Sequence, residues 1–181
     1  MIKSYLNNIE YFLPPIKENN ASYLRSMGKD DKSIKKILRK IGIFKRHVSD
    51  SKTFSNDLAY KSAIKIFKKF DRRKINYMIN CTQSPEYLIP TNACILQDRL
   101  NLKKDIGALD INLGCSGYIY LLSLAKGLIS TKISKNVLLL TSDTYSKVIK
   151  DSDLSTKLIF SDASSSTIIS KKKTKSSFEI L

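Results

Sequence analysis

Apolar residues along the chain switch repeatedly between two spacings. From Asp31 to Ile41, the residues Ile34, Ile37, Leu38 and Ile41 recur every three to four positions, with Lys35, Lys36 and Lys40 opposite them and Gly42 as a stop. That spacing predicts an amphipathic helix. Ser55 as a cap and Asp57 in a first turn open a second helix carrying Leu58, Ala59, Ala63, Ile66, Phe67 and Phe70. Thr91 caps a third through Leu100, with Ala93, Cys94, Leu96 and Leu100 turned inward. Asn20 to Met27, closed by Gly28, is a shorter and weaker helix.

Between these helices lie short apolar runs of strand length. Ile75 to Cys81, Gly107 to Asn112 and Asn136 to Ser142, the last cored by Val137-Leu138-Leu139-Leu140, read as strands buried on both faces. Ile2 to Leu6 and Tyr11 to Leu13 read as two strands ended by Pro14-Pro15, and Ile43 to Ser51 as a loop. Ser165 to Ser170 and Phe178 to Leu181 read as a hairpin across a lysine-rich turn. The resulting β-α-β-α-β-α-β succession predicts an α/β fold with a largely parallel sheet, right-handed crossovers and helices on both faces. No linker or repeat divides residues 1–181, which are expected to form one domain.

Composition narrows the chemistry. Thirty-two Lys and Arg against 16 Asp and Glu leave a net charge of +16, which favours an acidic partner without choosing one. The lysines are not interleaved with aromatics and match no nucleic-acid motif, so no nucleic acid is expected. The N-terminus has no signal-like apolar block and no stretch reads as a membrane span, so a cytoplasmic protein is expected. Three cysteines and a single histidine, His47, have no metal-ligand spacing, so no metal, bound cofactor or disulfide framework is expected; Cys81 and Cys94 read as core residues. No phosphate-cradling glycine loop or carboxylate pair is present.

The remaining candidate is Cys115, in Gly114-Cys115-Ser116-Gly117. Tyr118, Ile119, Leu121, Leu122, Leu124, Ala125, Leu128 and Ile129 follow it as a helix apolar nearly all round. A cysteine in the first turn of such a helix faces unpaired N–H groups and the positive end of the dipole, a setting that makes a nucleophile. The flanking glycines permit a tight turn and close approach of a substrate. The alternative is a small buried apolar residue, as most free cysteines are. His47 is expected to make local hydrogen bonds.

The segment Asp110-Ile111-Asn112-Leu113-Gly114-Cys115-Ser116-Gly117-Tyr118 resembles the active-site segment of β-ketoacyl-ACP synthase III, a thiolase-fold condensing enzyme. Leu13-Pro14, Gly42-Ile43 with Arg46-His47, Pro90-Thr91-Asn92-Ala93, Val137 to Asp143 and Phe160-Ser161-Asp162-Ala163 fall in that family's order. The resemblance covers the family's first half. It implies one half of a thiolase-like fold, built on a mixed, largely parallel five-stranded sheet, with the C-terminal half absent. It further implies that Cys115 takes an acyl group from acyl-CoA before condensation with malonyl-ACP. The Cys115 N–H would form one arm of an oxyanion hole, while the family's catalytic histidine and asparagine lie in the other half. Implied partners are acyl carrier protein, acyl-CoA and either the missing half or a second copy; the competing expectation is an incomplete module that engages acyl carrier protein.

Two departures accompany the resemblance. The family's F-G-D-G-A-G-A segment is Phe160-Ser161-Asp162-Ala163-Ser164-Ser165-Ser166 here, where lost glycines are expected to alter a tight loop. The aromatic and arginine that sandwich the coenzyme adenine correspond to Lys36 and Leu154, so the stacking pair is missing. Lys40 remains as a candidate contact for a coenzyme phosphate.

Overall fold

The computed structural model describes residues 2–181. Its elements are β1 (Tyr5–Phe12), β2 (Ile16–Asn19), α1 (Asn20–Ser26), α2 (Asp31–Ile41), β3 (Lys45–Val48), α3 (Ser55–Ile66), β4 (Tyr77–Cys81), α4 (Asn92–Arg99), β5 (Gly107–Ile111), α5 (Gly117–Ser130), β6 (Asn136–Asp143), α6 (Leu154–Lys157), β7 (Ala163–Ser170) and β8 (Phe178–Glu179). A six-stranded sheet runs in the order β5-β4-β6-β7-β1-β8. Strands β5, β4 and β6 are parallel, joined by α4 and α5, and β7, β1 and β8 continue the sheet antiparallel.

Alternation along β6 explains why the sheet has helices on both faces, as expected. Leu138 and Leu140 point into a core with Met78, Ile168, Ala59, Ala63 and Ile66 of α3 and Leu96 of α4. Val137 and Leu139 point the other way, toward Leu121, Ala125 and Ile129 of α5. Small residues let α3 lie close to β7, where Ser62 and Ser166 share a hydroxyl hydrogen bond of 2.7 Å and Ser164 donates to the Leu58 carbonyl at 2.5 Å. A third cluster, Leu24, Ile34, Leu38 and Leu158, joins α1, α2 and α6.

Several expectations change. The first two predicted strands are one, β1, with a register irregularity between Leu6 and Asn8. The predicted loop at Ile43 to Ser51 contains β3, which pairs antiparallel with β2. Its anchor is Arg46, whose side chain is fully buried. Arg46 pairs with Glu18, donates to Asn20 Oδ1 at 2.8 Å and to the Phe160 carbonyl at 3.1 Å, and so offsets the cost of burying its charge. The predicted hairpin is not formed: β8 crosses over to pair with β1, making a sixth strand beyond the five expected. Cys94 is exposed rather than inward-facing, whereas Cys81 is buried. On α5, Leu121, Ala125 and Ile129 are buried, but Ile119 and Tyr120 are 64% and 57% exposed, so the helix has an uncovered apolar face.

Helix starts also differ from the capping expected. Ser55 is the first helical residue of α3 and donates to the Ser84 carbonyl, while the Asp57 carboxylate accepts from the Phe54 N–H. Thr91 precedes α4 but gives no side-chain cap; Asp110 in β5 supplies it, accepting from Asn92 N–H at 2.6 Å and Ala93 N–H at 2.8 Å. A carboxylate at a helix N-terminus satisfies orphan donors and complements the dipole. Replacing Asp110 by Ala should therefore lower unfolding free energy by about 2 kcal/mol. Urea unfolding checks this, and Thr91→Ala should cost far less.

Candidate functional site

Strands β4, β5 and β6 end at the same edge of the sheet, where loops leave the carboxyl ends of parallel strands and ligands commonly bind. β5 leads through Asn112 to Ser116 into α5. Cys115 is exposed and lies two residues before the helix, not in its first turn as expected. The turn is closed by Gly117 N–H donating to the Gly114 carbonyl at 2.8 Å. Among the described residues, no protein acceptor takes the Cys115 N–H.

Close packing explains both glycines. A Cβ on Gly117 would lie 2.7 Å from Cys81 Sγ, and one on Gly114 would lie 2.4 Å from Gln83 Oε1. Cys81 ends β4 and donates its thiol to the Leu113 carbonyl at 3.2 Å, fixing the backbone just before the turn. Burial, reinforced by the charge of Asp143, raises the Cys81 pKa above the ordinary thiol value. Cys81 is thus a protonated support under the turn.

Gln83 is held just as firmly. Asp143, at the end of β6, accepts on Oδ1 from the Gln83 N–H, the Ser84 N–H, the Ser84 hydroxyl and the Thr82 hydroxyl, at 2.8 to 3.1 Å. Tyr145 donates to Gln83 Oε1 at 2.9 Å and stacks on Phe160 with ring centroids 4.9 Å apart. Together with Gly114 and Cys115 these residues line an open, largely apolar cavity of about 420 Å³. Its far wall, Phe160 to Ser165, is fixed by Asp162, which is fully buried and accepts from the N–H groups of Ser49 and Ser146 and from the Ser146 hydroxyl. Sequence reasoning missed Gln83, Tyr145 and the aspartate clasps. Asp110 and Asp143 do carry a readable signal, being polar residues at the ends of apolar strands.

The other candidates lie apart from this cavity. His47 is held 2.6 Å from the Pro14 carbonyl through Nδ1, and its N–H donates to Ser161 Oγ at 3.3 Å. Lys40 is exposed on α2 and shares a separate shallow hollow with Lys35, Lys36 and Arg39. Leu154 is half-buried in α6. Among the described residues, no group of His, Cys, Asp and Glu could hold a metal ion. Positive φ occurs, among the described residues, at Gly28, Gly42, Asn101 and Lys132, and not in the segment Phe160 to Ser166, so its serines sit on ordinary backbone.

The model of the 3-oxoacyl-[acyl-carrier-protein] synthase III family matches residues 109–181, which include the Cys115 turn, α5 and β6. A β-ketoacyl-[acyl-carrier-protein] synthase III of Campylobacter curvus is 33% identical over 173 residues, covering 94% of this chain and 51% of its own length. One of Staphylococcus epidermidis is 35% identical over 144 residues, or 78% of this chain and 44% of the relative. A crystal structure of a 3-oxoacyl-(acyl-carrier-protein) synthase III superimposes with a TM-score of 0.89 at 39% identity, over 96% of this chain and 51% of the other. The chain belongs to the β-ketoacyl-ACP synthase III family. A Burkholderia xenovorans 3-oxoacyl-(acyl-carrier protein) synthase gives the same TM-score at 32% identity, covering 97% of this chain and 50% of its own. The chain thus spans about half the length of these family members, and its sheet and helices are those of the thiolase-like fold.

The packing beneath this turn sets a sharp expectation. Gly117→Ala should destabilise the protein by about 1–3 kcal/mol through overpacking against Cys81, despite the better helix propensity of alanine. Cys81→Ala in the same chain should recover most of that loss, a coupling measurable by a double-mutant cycle in urea. Additive losses would show that Cys81 is not the residue that excludes a side chain at position 117.

Proposed function

We propose that this chain performs the acyl-accepting step of a β-ketoacyl-ACP synthase III. Cys115 Sγ attacks the carbonyl carbon of an acyl-CoA thioester, the bond to the coenzyme sulfur breaks, and the acyl group remains on Cys115 while coenzyme A leaves as the thiol. The observation that carries this reading is an exposed cysteine at the mouth of an open, mostly apolar cavity at the carboxyl edge of the parallel strands. The open Cys115 N–H supports it as one arm of an oxyanion hole, where a preorganised donor contributes about 3 kcal/mol.

In the same reading, condensation follows on loss of CO₂ from malonyl-ACP, in fatty-acid or related acyl-chain biosynthesis. This chain supplies the nucleophile and no decarboxylating histidine, since its single histidine is held against Pro14. That machinery, in our reading, comes from a second half or a partner chain. The exposed apolar face of α5, Ile119, Tyr120 and Leu124, supports such a covering body. Among the described residues no helix is long and apolar enough to cross a membrane, consistent with cytoplasmic acyl metabolism. Lys40 and its neighbours on α2 would meet coenzyme phosphates or the acidic carrier as point charges.

A second reading rests on that basic face of α2: a module that engages acyl carrier protein without turning over. One experiment separates the two. Incubated with acyl-CoA, the chain should gain one acyl mass by intact-protein mass spectrometry. The gain should disappear in Cys115→Ser and persist in Cys94→Ser, which removes the other exposed thiol. Carrier binding without any adduct on Cys115, even when a His- and Asn-bearing second half is supplied, would favour the module. The uncovered α5 face carries its own expectation: the 181-residue chain should self-associate in sedimentation, and Ile119→Lys with Leu124→Lys should shift it toward monomer.

A further inference from the structure

At the opposite edge of the sheet, where β6 begins and β7 ends, lies a second cavity of about 570 Å³. Seven residue steps along β6 at about 3.3 Å each put it roughly 23 Å from the Cys115 edge. Six lysines line it: Lys69, Lys74, Lys135, Lys171, Lys172 and Lys175. No carboxylate does, and the single acidic group paired with one of these lysines is Glu10, with Lys69.

These lysines do not meet by chance drift of flexible loops, because hydrogen bonds draw their backbones together. Lys171 N–H donates to the Lys135 carbonyl at 3.1 Å, Asn136 donates to the Lys74 carbonyl at 2.8 Å, and Asn7 donates to the Lys172 carbonyl at 3.0 Å. Lys172 N–H donates to Ser170 Oγ, which itself donates to Asn136 Oδ1 at 2.7 Å. Three segments are therefore held with cationic side chains around one hollow, where an anion would be attracted by several charges at once. Charge spread around the rim rather than focused at one point suits a ligand whose charge is also spread. Thr174 and Ser176 add hydroxyl donors, and Phe70 gives an aromatic wall.

We propose that this cavity binds a small polyphosphate anion, at a site separate from the Cys115 cavity and independent of acyl transfer. Titration calorimetry of the full chain with inorganic tripolyphosphate tests it. Saturable binding of one anion per chain is expected, weakening as salt is raised. Lys135→Ala, Lys172→Ala and Lys175→Ala combined should weaken it at least about tenfold. The same number of alanines at Lys17, Lys52 and Lys104, exposed lysines outside this cavity and the α2 hollow, should change it by less than about twofold. Absence of saturable binding overturns the proposal, as does equal weakening by both sets, which would mark a response to net charge alone. Tighter, length-dependent binding of a single-stranded oligonucleotide that both sets weaken would also overturn it in favour of a diffuse nucleic-acid surface.

Discussion

The site depends first on one oxygen atom. Asp143 Oδ1 accepts four hydrogen bonds from residues 82 to 84, and in doing so ties the loop after β4 to the end of β6. That clasp sets Gln83 above Gly114, where a side chain would displace the Gln83 amide from its hydrogen bond with Tyr145. With Cys81 packed beneath Gly117, the Cys115 turn is gripped from both sides by β4 and its loop. In the proposed acyl transfer, a thiol on a backbone held this way would have less orientation to lose when a substrate arrives.

Asp110 and Asp162 repeat the device at neighbouring loops. Each accepts from two backbone N–H groups, one set opening α4 and the other joining Ser49 to Ser146. The acidic side chains nearest the cavity are thus engaged in holding loops. The proposed chemistry of the cavity accordingly rests on a thiol and backbone donors rather than on a pair of carboxylates.

Where local pattern and tertiary packing agree, the sequence could be read closely. The helix from Asp31 to Ile41 and its Gly42 stop, the buried runs of β4 and β6, and the strand-to-helix placement of Cys115 all follow from periodicity and breakers. β5 is a strand as read but not buried on both faces, because it forms the edge of the sheet with Leu109 exposed. Errors arose where a partner distant in sequence decides the outcome. Lys45–Val48 is polar and short, and becomes a strand only because β2 and the buried Arg46 network hold it. Phe178–Glu179 follows β7 closely enough to suggest a hairpin, yet β1 offers it a free edge. Thr91 has the right residue type for a cap, but Asp110 reaches the same N–H groups with a charged acceptor and wins. The all-round apolar character of α5 was legible, and Ile119, Tyr120 and Leu124 form the face that stays exposed in this chain.

The segment Phe160 to Ser166 shows how serines can line this cavity without backbone strain. Glycines matter in two distinct ways: some permit a left-handed backbone, and others make room for a neighbour. No residue of this segment has positive φ, so side chains introduce no backbone strain. Room is not lacking either, since Ser164 and Ser166 point toward α3, where Leu58 and Ser62 give their hydroxyls hydrogen-bond partners. By contrast Gly117 is a glycine of the second kind, facing the buried Cys81 sulfur, while Gly114 faces the amide of the exposed Gln83, which can give way more readily. The chain thus has glycine at position 117, where the neighbouring sulfur is packed in the core, and serine at positions 164 and 166, where the facing helix offers hydrogen-bond partners. What makes a position tolerant of a side chain is the neighbour it faces, not the loop it sits in.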